Sequence, residues 1–129
     1  MKQHIIIEQL HELSEKGRER LRKWWNWEKR DLFYCFIQKK TWAIGEFNWE
    51  KTKDIDHPCE KDLPLLSIGQ MIEFLGEKKK DIHIERTDSV DVWTISTCYD
   101  YDKEWKFGED KKELCDALFT AVKEILEND

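Results

Sequence analysis

The residues with most chemistry to offer stand close together near the start of the chain. Arg18, Arg20, Arg22, Lys23, Lys29 and Arg30 surround Trp24, Trp25 and Trp27, and only Glu19 and Glu28 oppose them. Residues 18–30 thus set six basic side chains against two acidic ones, a local charge of +4 in a protein of net charge −6. Arginine makes bidentate contacts to phosphate and indole rings offer stacking surfaces, a combination that holds nucleotides or single strands. The same residues also fit a helix with Leu21, Trp24 and Trp25 buried and its basic face solvated, which is the commoner use of aromatics at helical spacing. Three tryptophans within four residues cannot all point inward, so at least one is expected at the surface or against another chain.

Other reactive side chains form no recognisable set. Asp100, Asp102 and Glu104 flank Tyr101 on a turn, but a calcium loop needs a Gly at its sixth position and a bidentate Glu at its twelfth, and neither is present. The four cysteines, at 35, 59, 98 and 115, lie far apart and read as free thiols. His57-Pro58-Cys59 is the one local His/Cys pairing, and zinc or thiol chemistry would require Cys35, His83 or Cys98 to converge on it. No Gly-rich phosphate cradle, nucleophile elbow or His-Glu zinc helix is present. The sequence calls for no cofactor, no metal and no catalytic residue.

The elements that must position these groups are clearest in residues 63–126. Ser67 and Gln70 form a capping box, each satisfying a backbone N–H of the other, with Leu66 and Met71 as its hydrophobic staple. Ile68, Met71, Ile72 and Leu75 follow the spacing of one apolar stripe, and Gly76 is placed as a left-handed C-terminal stop. A closing helix is expected to start at Asp110, with Glu113 at its third position and a buried face of Leu114, Leu118, Ala121, Val122, Ile125 and Leu126. Between the two helices, residues 82–85, 90–99 and 104–107 read as strands, the last an edge strand stopped at Gly108.

The front of the chain is less regular. Residues 3–13 suit a short helix with Ile7, Leu10 and Leu13 inward, although Ile5-Ile6-Ile7 suits a strand equally well. Ser14 is a fresh cap, and Gly17 favours a break over one long rod. Residues 32–37 and 41–47 are aromatic and β-branched runs separated by Gln38-Lys39-Lys40, an antiparallel hairpin. Residues 49–62 form a charged loop, and Pro64 keeps Leu63 extended before the capped helix. The fold class is α+β: an antiparallel sheet of about five strands with N-terminal, central and C-terminal helices packed on it. One domain spans residues 1–129, with a helix-hairpin part at 1–48, the loop at 49–62 and the helix-strands-helix framework at 63–127.

Charged residues make up 39% of the chain and hydrophobic ones 40%, with seven Trp and six Phe, which excludes disorder. The acidic balance argues against general binding to nucleic acid or a membrane surface. No run is long enough to span a bilayer, and the opening residues lack the features of a secretory signal, so a cytoplasmic address is expected.

The run LPLLSIGQMIEFLGE, the tryptophan-bearing strand after it and the closing ELCDALFTAVKEIL resemble small uncharacterised proteins encoded by phages and prophages of Gram-positive bacteria. The opening LSEKGRERLRKWW…RDLFYC is similar to theirs too, except that Asn26-Trp27-Glu28-Lys29-Arg30 stands where a turn bearing Pro and Gly is expected. The resemblance implies phage origin and an α+β fold and brings no catalytic residue with it. Taken with the aromatic excess and the acidic body, it leads to a non-catalytic binding protein that occupies a surface of a host protein, in a defence system for instance. The alternative from the same 18–30 patch is an oligomer that sequesters a nucleotide or other small anion. A homodimer centred on Trp24, Trp25 or Trp27 is expected; the alternative is that the same surface stays open for the host target, in which case the free protein is monomeric.

Overall fold

The computed structural model describes residues 2–26, 31–43, 62–78, 81–87, 92–98, 106–107, 111 and 113–128. The class is α+β, and the chain divides into two compact units: Ile6–Leu66, and Met1–Ile5 together with Ser67–Asp129.

In the first unit, α1 (Ile7–His11) is short and α2 (Glu15–Trp24) follows after a break. Gln9 Oε1 accepts from the backbone of Ile6 at 3.0 Å at the start of α1. Ser14 caps α2 as expected, its Oγ accepting from Gly17 N at 3.1 Å, so the break falls where two helix starts compete for the chain. Strands β1 (Leu32–Cys35) and β2 (Lys40–Ala43) form the expected antiparallel hairpin, with Phe33 opposite Trp42 and Tyr34 opposite Thr41. The turn between them spans residues 36–39 and closes through Lys39 N donating to Cys35 O at 2.7 Å, with Lys39 in the left-handed region at φ 55°. Leu63 and Pro64 are extended, and they add a third strand, β3 (Leu63–Pro64), on the far side of β1. Leu10, Leu13, Leu21, Phe33 and Leu63 are buried in this unit.

The second unit begins with the first residues of the chain. His4 makes an antiparallel bridge to Ser67, Gln3 O accepts from Ile68 N at 3.1 Å, Lys2 pairs with Asp116 at 2.6 Å, and Ile5 is buried. The residue 3–13 helix of the sequence reading is therefore confined to Ile7–His11, because residues 2–5 are taken up by this second unit. Helix α3 (Ile68–Lys78) starts at the capping box: Gln70 N donates to Ser67 Oγ at 3.1 Å and Ser67 N to Gln70 Oε1 at 2.9 Å. Strands β4 (Asp81–Thr87), β5 (Val92–Cys98) and β6 (Lys106–Phe107) form an antiparallel meander in that spatial order, and α4 (Leu114–Asn128) closes the chain. Helices α3 and α4 pack on each other, α4 against β5 and α3 against β4.

Four expectations need correction. The strands form two three-stranded sheets, β2-β1-β3 and β4-β5-β6, not one sheet of five. The far side of β1 is taken by β3, and the chain turns into α3 directly after it; among the described residues the strands of the second meander pair with one another and, at Trp93, with Lys111. Gly76 does not stop α3, which runs on to Lys78; no left-handed backbone is required at Gly76, which sits exposed in the last turn. The buried stripe of α3 runs through Met71, Phe74 and Leu75, and Ile72 remains 39% exposed. Finally, α4 begins at Leu114, because Lys111 is occupied in a two-hydrogen-bond bridge with Trp93 (3.1 and 2.6 Å) and cannot take helical pairing. Asp110 itself lies outside the described residues, as do the residue 100–104 acidic turn and nearly all of the 49–62 loop.

Packing on two neighbours, α3 and β5, also makes the buried face of α4 wider than one stripe. Cys115, Ala117 and Phe119 are buried beside Leu118, Ala121, Val122, Ile125 and Leu126, while Leu114 is half-buried. Among the described residues no helix is long and apolar enough to cross a membrane.

Candidate functional site

The basic, tryptophan-rich stretch is split by α2 into side chains with different tasks. Leu21 and Trp25 point into the first unit, where Trp25 meets Phe33 with ring centroids 6.0 Å apart. The Trp25 indole N–H donates to Asp31 Oδ2 at 3.2 Å, which satisfies the one polar atom that its burial would strand. Trp25 is thus a core residue and offers no stacking surface. Trp24 and Trp42 pack against this pair from the flanks and stay half-buried. Trp42 is held in place by its own indole N–H, which donates to Gln38 Oε1 at 3.0 Å, and the Lys40 ammonium stands 5.9 Å from its ring centroid. The result is two partly open indoles packed on a buried aromatic pair.

The cations separate along the helix. Arg18 lies with its guanidinium carbon 5.2 Å from the Phe36 ring centroid, and its Nη2 donates to His11 O over a long 3.4 Å. Arg22 Nε donates to the Asp62 carbonyl at 3.4 Å, which ties α2 to the start of β3. Lys23 pairs with Glu19 one turn back at 3.4 Å, both side chains mostly exposed, a contact worth little to stability. Arg20 is half-buried on the same helix. Trp27, Lys29 and Arg30 lie outside the described residues.

A second cluster was not legible from spacing. The His11 ring stands edge-on to Phe36 (5.6 Å, 89°) and to Tyr34 (6.4 Å, 72°), and Tyr34 meets Phe36 at 4.9 Å and 77°. Together with Arg18 over Phe36, these residues bring the end of α1, the first turns of α2 and the β1–β2 turn to one place. Ile37, 69% exposed, follows in the same turn. Phe36 and Trp42 read in the sequence only as strand aromatics, and His11 falls within the helix expected over residues 3–13. The available signal was the alternation of the hairpin, which puts Phe33 and Trp42 on one face and Tyr34 on the other.

The remaining reactive groups stay dispersed. Cys35 and Cys115 are free and buried. Cys35 Sγ accepts from Gln38 N at 3.4 Å within the turn. Among the described residues no three or more His, Cys, Asp or Glu stand together as metal ligands, and His57 and Cys59 lie outside those residues. His83 is exposed on β4, 3.6 Å from Glu85. Comparison of the chain with protein-family models, with curated proteins and with solved structures finds no match.

Proposed function

We propose that this is a non-catalytic binding protein of phage type, which acts by occupying a surface of a host protein such as a component of a defence system. What supports the reading is the pair of half-buried tryptophans, Trp24 and Trp42, mounted on the buried Trp25–Phe33 pair. Indoles that are rigid, partly open and backed by core deliver large contact area at low entropic cost, and interfaces concentrate Trp, Tyr and Arg for that reason. Lys40 beside Trp42 adds a cation at the edge of this apolar centre, as in a hot spot with a polar rim. The net charge of −6 suits competition for a basic surface of the kind that binds nucleic acid.

The test is capture from host lysate on the immobilised protein, run in parallel on Trp24→Ala and Trp42→Ala. One host protein should be retained by the parent and lost or strongly weakened with either variant. Retention that ignores both substitutions, or a hydrolytic activity of the purified protein with no captured partner, sinks the reading.

A further inference from the structure

We propose that Arg18, seated on Phe36 beside His11, forms a binding site for a phosphoryl group. The argument starts from what the position costs. Arg18 Nε is sealed from solvent and has no hydrogen-bond partner among the described residues. On the same guanidinium, Nη2 has, among the described residues, the 3.4 Å contact to the His11 carbonyl. A buried, unpaired donor is destabilising, and an unbranched apolar side chain such as methionine would cover the Phe36 ring without that cost. The fold therefore gains little from a cation here, while the side chain is nonetheless held in one place by the ring beneath it and by the carbonyl of α1.

With Nε sealed, a two-pronged contact to an oxyanion falls to the Nη1/Nη2 edge of a guanidinium that is already fixed in place. The His11 ring is exposed and approaches the same Phe36 ring edge-on, 5.6 Å between centroids, so a second N–H donor stands at the same floor. Tyr34, packed edge-on against Phe36, supports that floor. Helix α2 adds field: Lys16, Arg18, Arg20 and Arg22 face only Glu15 and Glu19 within residues 15–22. Two donors of different geometry within a basic field suit the several oxygens of a phosphomonoester better than a single carboxylate.

This site is separate from the Trp24/Trp42 face, and its test does not use that face. Titration calorimetry with inorganic phosphate and with adenosine monophosphate, at fixed ionic strength, is carried out on the parent, Arg18→Met, Arg18→Lys, Phe36→Leu and, as a control, Lys23→Met. Saturable binding of phosphate is expected in the parent and in Lys23→Met. Loss of the fork should weaken it about tenfold or more in both Arg18 variants. Phe36→Leu, which removes the floor, should also weaken it. Tighter binding of the nucleotide than of phosphate assigns the phosphoryl group to a nucleotide carrier, and equal binding assigns recognition to the phosphoryl group alone. The melting temperature of Arg18→Met should equal or exceed that of the parent. No saturable phosphate binding, equal loss in Lys23→Met, full binding by Arg18→Lys, or a marked fall in the Arg18→Met melting temperature would each overturn the proposal.

Discussion

Burial of the Cys115 side chain on α4 raises its thiol from 9.0 to about 11, with desolvation as the largest cause and the Lys2 ammonium pulling the other way. The folded protein keeps this proton through the range in which the unfolded chain releases it. Its contribution to stability is therefore complete below pH 9.0 and is lost as the pH rises toward about 11. At neutral pH the group is a thiol without access to solvent, and nucleophilic chemistry needs the thiolate. We expect the Cys115 peptide to resist iodoacetamide in the native protein and to alkylate fully in guanidinium chloride, read by mass spectrometry. Rapid native alkylation would show that the α4 face opens. Arg18 illustrates the opposite case at this scale, since it is a charged residue whose donors the fold leaves sparingly used.

At the scale of the element, α3 gives two predictions of opposite sign. Its start depends on reciprocal hydrogen bonds of 2.9 and 3.1 Å between Ser67 and Gln70, so Ser67→Ala should cost about 1 kcal/mol in chemical denaturation. Its end does not depend on glycine. Gly76 lies inside the helix, and among the described residues a Cβ there would meet Ile82 Cδ1 at 4.0 Å, an ordinary contact. Gly76→Ala should therefore stabilise by about 0.5–1 kcal/mol, through the lower backbone entropy of the unfolded chain. If Gly76 were a left-handed stop, the same substitution would destabilise, so the sign of the change in denaturation midpoint separates the two accounts.

For the whole molecule, the first prediction concerns the opening residues. They belong with Ser67–Asp129, joined by the Lys2–Asp116 pair, the His4–Ser67 bridge and the burial of Ile5. Removing residues 2–5 should cost about 2–3 kcal/mol from the loss of Ile5 burial and the pairings around it. Hydrogen exchange should speed up in α3 and α4 while β1 and β2 keep their protection. Uniform acceleration across the chain would show that the two units do not respond separately. The second prediction concerns self-association. Of the three tryptophans expected at a dimer centre, Trp25 is buried and Trp27 lies outside the described residues, which leaves Trp24. Light scattering over a dilution series should show a dimer that weakens with Trp24→Ala. A 15.7 kDa particle at every concentration rules it out.

What the sequence by itself determined are the features carried by neighbours along the chain. The Ser67–Gln70 box, the Ser14 cap, the break before α2, the β1–β2 hairpin and the β4–β5–β6 meander all rest on contacts within a few residues or between strands that follow one another in the chain. Such contacts leave their mark in spacing and residue type. Only the tertiary structure decided the rest. Whether Ile72 or Phe74 faces inward depends on where β4 and α4 stand around α3, since a helix presents several apolar residues and its neighbours choose among them. The division into two sheets follows from Leu63 and Pro64 pairing with Tyr34 and Phe33, a contact between distant residues that no local pattern encodes. The convergence of His11, Arg18, Tyr34 and Phe36 belongs to the same class: three elements meet there, and the periodicity of each one is satisfied without the others. Long-range contacts are selected by shape and desolvation once the elements have formed, and for that reason they are absent from the spacing of the residues that make them.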